Sequence, residues 1–154
     1  MHRILPALPV LFLLACTGGY NPPIQNPTTF IYDIAGTREI LFNKTLSVLS
    51  GLGVEVEAKN PNEGIITTAP HEARFMVEEC DCGTWYRKPF VTDPASTVRI
   101  ILNIAITNGT IEFNTKFMGE HKNKTGRMDR RLECVSTGAY EKQIAGFIAG
   151  KRLN

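Results

Sequence analysis

Three cysteines are the residues best suited to chemistry in the body of this 154-residue chain. Cys80 and Cys82 lie two positions apart, and Cys134 follows far downstream. These thiols allow two kinds of site. One is a disulfide, and the other is a soft-metal site in which three thiolates and one imidazole bind zinc or copper. His71 and His121 are the histidines that could supply the imidazole.

The N-terminus indicates the compartment in which these cysteines work. The apolar run Ile4–Ala15, broken only by two prolines, is too short to span a membrane and fits the core of a secretory signal. The run ends in Leu13-Leu14-Ala15-Cys16, which resembles the bacterial lipobox. The resemblance implies cleavage before Cys16 and its acylation with diacylglycerol and a further chain such as palmitate. The alternative is an ordinary signal peptide with a chance cysteine.

The lipobox resemblance divides the chain into three parts. We expect residues 1–15 to be a signal peptide, residues 16–29 a lipidated Pro-rich tether, and residues 30–154 one domain. Thr17 stands where Asp would favour retention in the inner membrane, so the resemblance implies the outer membrane, with the domain facing the periplasm. An extended tether of this composition could lift the domain by up to roughly 40 Å.

Export favours the disulfide, because the compartment is oxidising. Cys80 and Cys82 point the same way in an extended chain, and a bond between them would be strained. Cys134 should therefore pair with one of them. We expect Cys82–Cys134, because Gly83 lets the chain turn beside Cys82, and Cys80–Cys134 is the alternative. Neither a metal nor a cofactor is expected, although a metal-handling or thiol-redox protein using all three cysteines stays the alternative function.

Motifs of the common enzyme classes are missing from the sequence. There is no C-x-x-C redox pair, no C-x-x-C-H haem site, no G-x-S-x-G nucleophile elbow and no glycine-rich phosphate loop. Glu78, Glu79 and Asp81 could do acid–base work, but a solvated acidic turn is the simpler interpretation. The formal charge of +2 is too small to indicate nucleic-acid binding. We therefore predict a non-catalytic binding protein.

Two segments could bind a partner. Residues 121–131 carry five basic side chains and one acidic one, a composition suited to anionic headgroups or another envelope polymer. Residues 85–90 combine aromatic and basic side chains, which are favoured in interface hot spots. The alternatives are a solvated linker and a cover for the core edge. The candidate binding residues are Trp85, Tyr86, Arg87, Lys122, Lys124, Arg127, Arg130 and Arg131.

Hydrophobic periodicity predicts the elements that position these residues. Thr37 should cap a helix that ends near Gly51 and Gly53, and a second helix should follow Gly138. Asn108-Gly109 predicts a two-residue hairpin turn that pairs Ile106 with Ile111 and places one apolar face on both strands. Further strands are expected at residues 30–34, 54–58, 65–69 and 130–135.

The order of these elements predicts an α+β domain. It has a mostly antiparallel sheet of about five to six strands, with two helices packed on one face. The segments Leu52-Gly53-Val54-Glu55-Val56 and Gly64-Ile65-Ile66-Thr67-Thr68 resemble the helix-grip domains of BamC-type envelope lipoproteins. The resemblance implies this fold, an envelope location, and a partner in the envelope, either another protein or a polymer.

Overall fold

A long antiparallel hairpin forms the centre of the protein. The structure is a computed structural model that describes residues 19–24 and 29–151; the predicted signal peptide and Cys16 lie outside these residues. Strand β9 (Ser96–Ile106) runs into β10 (Thr110–Lys122) through Asn108 and Gly109, whose φ is 84°. Ile106 pairs with Ile111 and Ile104 with Phe113, so the predicted register is confirmed.

The main sheet is built outward from this hairpin and is antiparallel at every pairing. It has eight strands within the described residues. Besides β9 and β10, these are β2 (Thr29–Asp33), β3 (Val56–Asn60), β4 (Ile65–Thr68), β5 (His71–Ala73), β6 (Cys80–Asp81) and β11 (Met128–Ser136). β9 pairs on its other side with β4 and β5, and β10 pairs with β2 and β11. β3 and β6 form the edges.

A second, small sheet lies outside the expected fold. It contains β1 (Tyr20–Asn21), β7 (Thr84–Trp85) and β8 (Lys88–Pro89), in the order β1-β7-β8, and a 3₁₀ turn (Phe90–Thr92) follows it. The described residues thus form eleven strands rather than five to six. Strands of two or three residues are too short to show an alternating pattern, which is why the sequence did not predict them.

Two helices lie within the described part of the chain. α1 (Arg38–Gly51) begins at Thr37, whose hydroxyl accepts a hydrogen bond from the Ile40 N–H (3.4 Å), as the sequence predicted. α2 (Ala139–Ile148) begins after Gly138. No helix among residues 19–24 and 29–151 has both the length and the apolar character needed to cross a bilayer.

One hydrophobic core joins both helices to the main sheet. Alternate residues of β9 and β10 are buried, and the residues between them are polar or more exposed. The buried side chains of α1 and α2 belong to the same core, which confirms the α+β architecture. The most deeply buried large apolar side chains are Leu41, Leu49, Ile66, Ile100, Leu102, Ile104, Ile106, Ile111, Phe113, Ile144 and Ile148.

Phe113 offers a direct test of this core. Its ring is fully buried and meets the Tyr32 ring edge-on, with centroids 5.9 Å apart. We expect Phe113→Ala to lower the free energy of unfolding by about 3–5 kcal/mol, because it leaves a cavity that the sheet cannot close. Urea unfolding measures the change. Glu112→Ala, on the exposed face of the same strand, is the control and should change stability by less than about 0.5 kcal/mol.

Candidate functional site

A disulfide attaches the segment that carries the small sheet to the main sheet. Cys82 and Cys134 are bonded, which is the predicted pairing rather than the alternative with Cys80. Pairing of β6 with β11 sets Ser136 opposite Cys80 and brings the cysteines together. Gly119 of β10 packs against this bond and against the Phe90 ring, because an added Cβ would stand 2.8 Å from the ring and 3.1 Å from the Cys134 sulfur. A side chain at position 119 would therefore force the Phe90 ring to move and would crowd the disulfide.

Cys80 is the third sulfur of this cluster and carries a free thiol. It is fully buried, and its Sγ lies 3.6 Å from the Sγ of Cys82. Burial raises the pKa of this thiol to about 12, with smaller contributions from the carboxylates of Asp81, Glu79 and Glu141. The thiolate is the nucleophile and the metal ligand, so Cys80 is inert near neutral pH while the fold is intact.

The metal interpretation needs the same three sulfurs. The Sγ atoms of Cys80, Cys82 and Cys134 all lie within 4.8 Å of one another, close enough to share one ion. Neither His71 nor His121 belongs to this group among the described residues. His71 is half-buried in β5, and its burial lowers the pKa of its imidazole. The disulfide occupies two of the three sulfurs, so a soft metal could bind only after reduction.

The turn between β7 and β8 presents an aromatic and a basic side chain at the surface. Trp85 pairs with Lys88, which leaves Tyr86 and Arg87 as a two-residue turn with φ values of 47° and 66°. Positive φ at both positions is typical of turns built from Asn and Gly, and it strains residues with large side chains. The Tyr86 side chain is nevertheless 71 % exposed. A residue with a strained backbone and a solvent-exposed side chain indicates a role other than stabilising the fold.

The structure brings the two predicted binding segments together at Trp85 and Arg130. The Arg130 guanidinium carbon lies 3.4 Å from the centre of the Trp85 ring, a cation–π contact. Both residues line a cavity of about 520 Å³ between the small sheet and the β10–β11 hairpin. The other lining residues are Tyr86, Lys88, Pro89, Phe90, Thr92, Asp93, Pro94, His121 and Asp129.

Sequence reasoning missed the polar side of this cavity. The sequence offered His121 as a possible metal ligand or as part of a solvated linker, but it lies near the end of β10 with its side chain 25 % exposed. Its Nδ1 is 2.7 Å from the Asp129 carboxylate, and its Nε2 is 3.7 Å from that of Asp93. The hydrogen bond with His121 lowers the pKa of the Asp129 carboxyl. The feature that could have revealed this pair is the β10–β11 hairpin. Its pairing of His121 with Arg130 brings Asp129, the residue before Arg130, close to His121.

The remaining basic residues predicted to bind a partner lie away from this cavity. Arg131 makes an ion pair with the buried carboxylate of Glu120 (3.2 Å), which Arg99 also approaches at 3.7 Å. Arg131 therefore compensates a buried charge in the fold. The side chains of Lys122, Lys124 and Arg127 are exposed in the β10–β11 hairpin and do not line the cavity. We call Trp85, Tyr86, Arg87, Lys88 and Arg130 the aromatic–basic surface.

The inertness of Cys80 can be measured by alkylation. In a Cys16→Ser protein kept oxidised, we expect no reaction with iodoacetamide at pH 8, because a pKa of about 12 leaves about one thiol in ten thousand ionised. Reactivity should rise with pH towards 12. Denaturant should expose one thiol per molecule as the positive control, and rapid labelling of the native protein at pH 8 would contradict the burial.

Strain in the β7–β8 turn can be measured by relieving it. We expect Tyr86→Asn combined with Arg87→Gly to raise the free energy of unfolding by about 1–2 kcal/mol, because both residues accept positive φ readily. Urea unfolding gives the change. Arg87→Ala keeps a side chain at positive φ and should give no such gain. Because Tyr86→Asn also removes ring contacts with Gly19 and Trp85, Arg87→Gly is measured alone as well, and a loss of stability in that single variant would show that the turn is unstrained.

Comparison with known proteins identifies no family for this chain. No family model matches it, and no curated protein matches it significantly. A solved structure of a DUF4468 family protein from Bacteroides ovatus is similar, with 12 % sequence identity and a TM-score of 0.41. The match covers 82 % of this chain and 65 % of that one, so this chain spans less than two thirds of the length of that protein. The lipobox and BamC-type resemblances stay predictions.

Proposed function

We propose that this chain is a non-catalytic lipoprotein of the bacterial envelope that binds another envelope component through its aromatic–basic surface. Residues 1–15 are the signal peptide, Cys16 carries the lipid, and the domain faces the periplasm from the outer membrane. The observation that carries the proposal is the contact of Arg130 with Trp85, which joins two segments distant in sequence beside one cavity.

The composition of the cavity favours binding over catalysis. Trp, Tyr and Arg are the residue types that dominate binding energy at interfaces. Tyr86 lines the cavity, and Arg87 is exposed next to it in the same turn. The other polar groups that line the cavity hold each other in place. His121 is engaged by Asp129, and the Thr92 hydroxyl donates to the Pro89 carbonyl oxygen (2.8 Å). Such groups shape and orient a surface, and none is positioned as an activated nucleophile beside a base.

The anchor and the disulfide can be tested with one measurement. The protein is extracted from native membranes in detergent, without reductant, and its intact mass is determined. We expect the mass of Cys16–Asn154 plus acyl groups, less two hydrogens for the disulfide. An unlipidated mass, or one with every thiol free, would contradict the proposal.

A substitution separates the anchor from the fold. We expect Cys16→Ser, made in a chain whose residues 1–15 are replaced by an ordinary cleavable secretory signal, to move the protein from the membrane to the soluble fraction, because neither an acyl chain nor the apolar signal is then attached. Cys80→Ser is the matched control: it removes a thiol but leaves both the anchor and the Cys82–Cys134 bond, and it should stay with the membrane. A Cys16→Ser protein that still sediments with membranes would refute lipid anchoring.

A metal-handling or thiol-redox role is the second candidate, and the clustering of three sulfurs within 4.8 Å favours it. After reduction by a dithiol, the three thiolates would present a soft site suited to copper or zinc. Metal content of the reduced protein tests this: one ion per molecule, lost in Cys80→Ser, would favour it. One disulfide that resists reduction and no retained ion would eliminate it.

A further inference from the structure

The first described residues, from Gly19 onward, are hydrogen-bonded to the strand that carries the aromatic–basic surface. Strand β1 pairs Tyr20 with Trp85 and Asn21 with Thr84. The Tyr86 N–H donates to the carbonyl oxygen of Gly19 (2.8 Å), and the Tyr20 hydroxyl donates to that of Cys82 (3.2 Å). From Gly19 onward the backbone is therefore part of the small sheet, and no free spacer separates it from Trp85.

The proposed anchor lies very close to this attachment. Cys16 precedes Gly19 by three residues, and an extended chain spans at most about 3.6 Å per residue, so their Cα atoms lie within about 11 Å. Gly19 also packs against Tyr86, since an added Cβ would stand 3.0 Å from the ring. If Cys16 carries the lipid, as proposed above, Tyr86 must lie near the headgroups. The predicted lift of roughly 40 Å does not hold for this arrangement.

The surface that this attachment turns towards the membrane has a suitable composition. Trp and Tyr are enriched at the level of lipid headgroups, because their rings are apolar with one polar edge. Arg87, Lys88 and Arg130 are exposed beside them and can interact with anionic headgroups. Asp93 and Asp129 lie at the same cavity, but both face His121, at 3.7 and 2.7 Å.

We propose that the envelope component bound by the aromatic–basic surface is the anionic phospholipid bilayer itself. The domain lies against the membrane on its small sheet, with Trp85 and Tyr86 at headgroup level. This inference rests on the proposed lipid anchor at Cys16. It also explains why a strained turn presents Tyr86 and Arg87, since Asn and Gly would form that turn more easily but bind lipid poorly.

The position of Trp85 can be read directly, because it is the only tryptophan in the chain. Lipidated full-length protein is reconstituted into vesicles of phosphatidylethanolamine and phosphatidylglycerol, with and without bromine on the acyl chains. Bromine quenches tryptophan only at close range. We expect a loss of Trp85 emission in brominated vesicles relative to unbrominated ones, with the protein floating with the vesicles in both.

A second tryptophan position provides the matched control. Ile31 of β2 is 63 % exposed and pairs with Glu112, nine residues along β10 from His121, or about 30 Å at the usual rise of a strand. In an Ile31→Trp protein that keeps Trp85, bromine should quench the emission of Trp85 and leave the added emission of residue 31 unchanged, because that end of the main sheet points away from the bilayer.

Each outcome decides a separate point. Quenching at position 85 but not at 31 supports the inference. Flotation without quenching at 85 would show that the domain stands away from the membrane, so the inference fails while the anchor holds. Equal quenching at both positions would mean that no particular face meets the bilayer, which also overturns the inference. Loss of flotation would overturn the lipid anchor and this inference with it.

Discussion

The bond between Cys82 and Cys134 is the constraint on which the candidate surface depends. The three strands of the small sheet have two residues each, too few to be stable alone. The bond closes a loop of 52 residues, and restricting such a loop in the unfolded chain contributes on the order of 4 kcal/mol. The Tyr20 hydroxyl bonded to Cys82 adds a contact at the same point. Without this bond, Trp85 would have little to hold it beside Arg130.

The large elements could be predicted from the sequence because each repeats a pattern over many residues. The β9–β10 register follows from the two-residue turn and from matching apolar faces, and α1 follows from its Thr37 cap and its spacing. The small sheet could not be predicted in this way. Its pairing of Tyr20 with Trp85 joins segments more than 60 residues apart through two-residue strands, which leave no periodic signal.

The candidate site, too, could be predicted from the sequence only in part. Residue types alone predicted that Trp85 and Arg130 could bind a partner, but only the fold shows that they touch. Asp93 could not be predicted, because its approach to His121 depends on how the 3₁₀ turn after β8 lies beside β10. The sequence offered only a slight reason to pair Cys134 with Cys82 instead of Cys80. The pairing of β6 with β11 determines which of the two cysteines is bonded.

The two turns that flank β10 differ in how much change in length each can accept. Asn108 and Gly109 bond to the backbone of Ile34, Gly36 and Arg38, so one inserted residue would break these contacts and rotate the apolar side of β10 towards water. The turn at residues 123–127 bonds within itself, through the Asn123 side chain. Natural variants of this sequence should therefore keep a fixed length at 108–109 and gather insertions and deletions at 123–127.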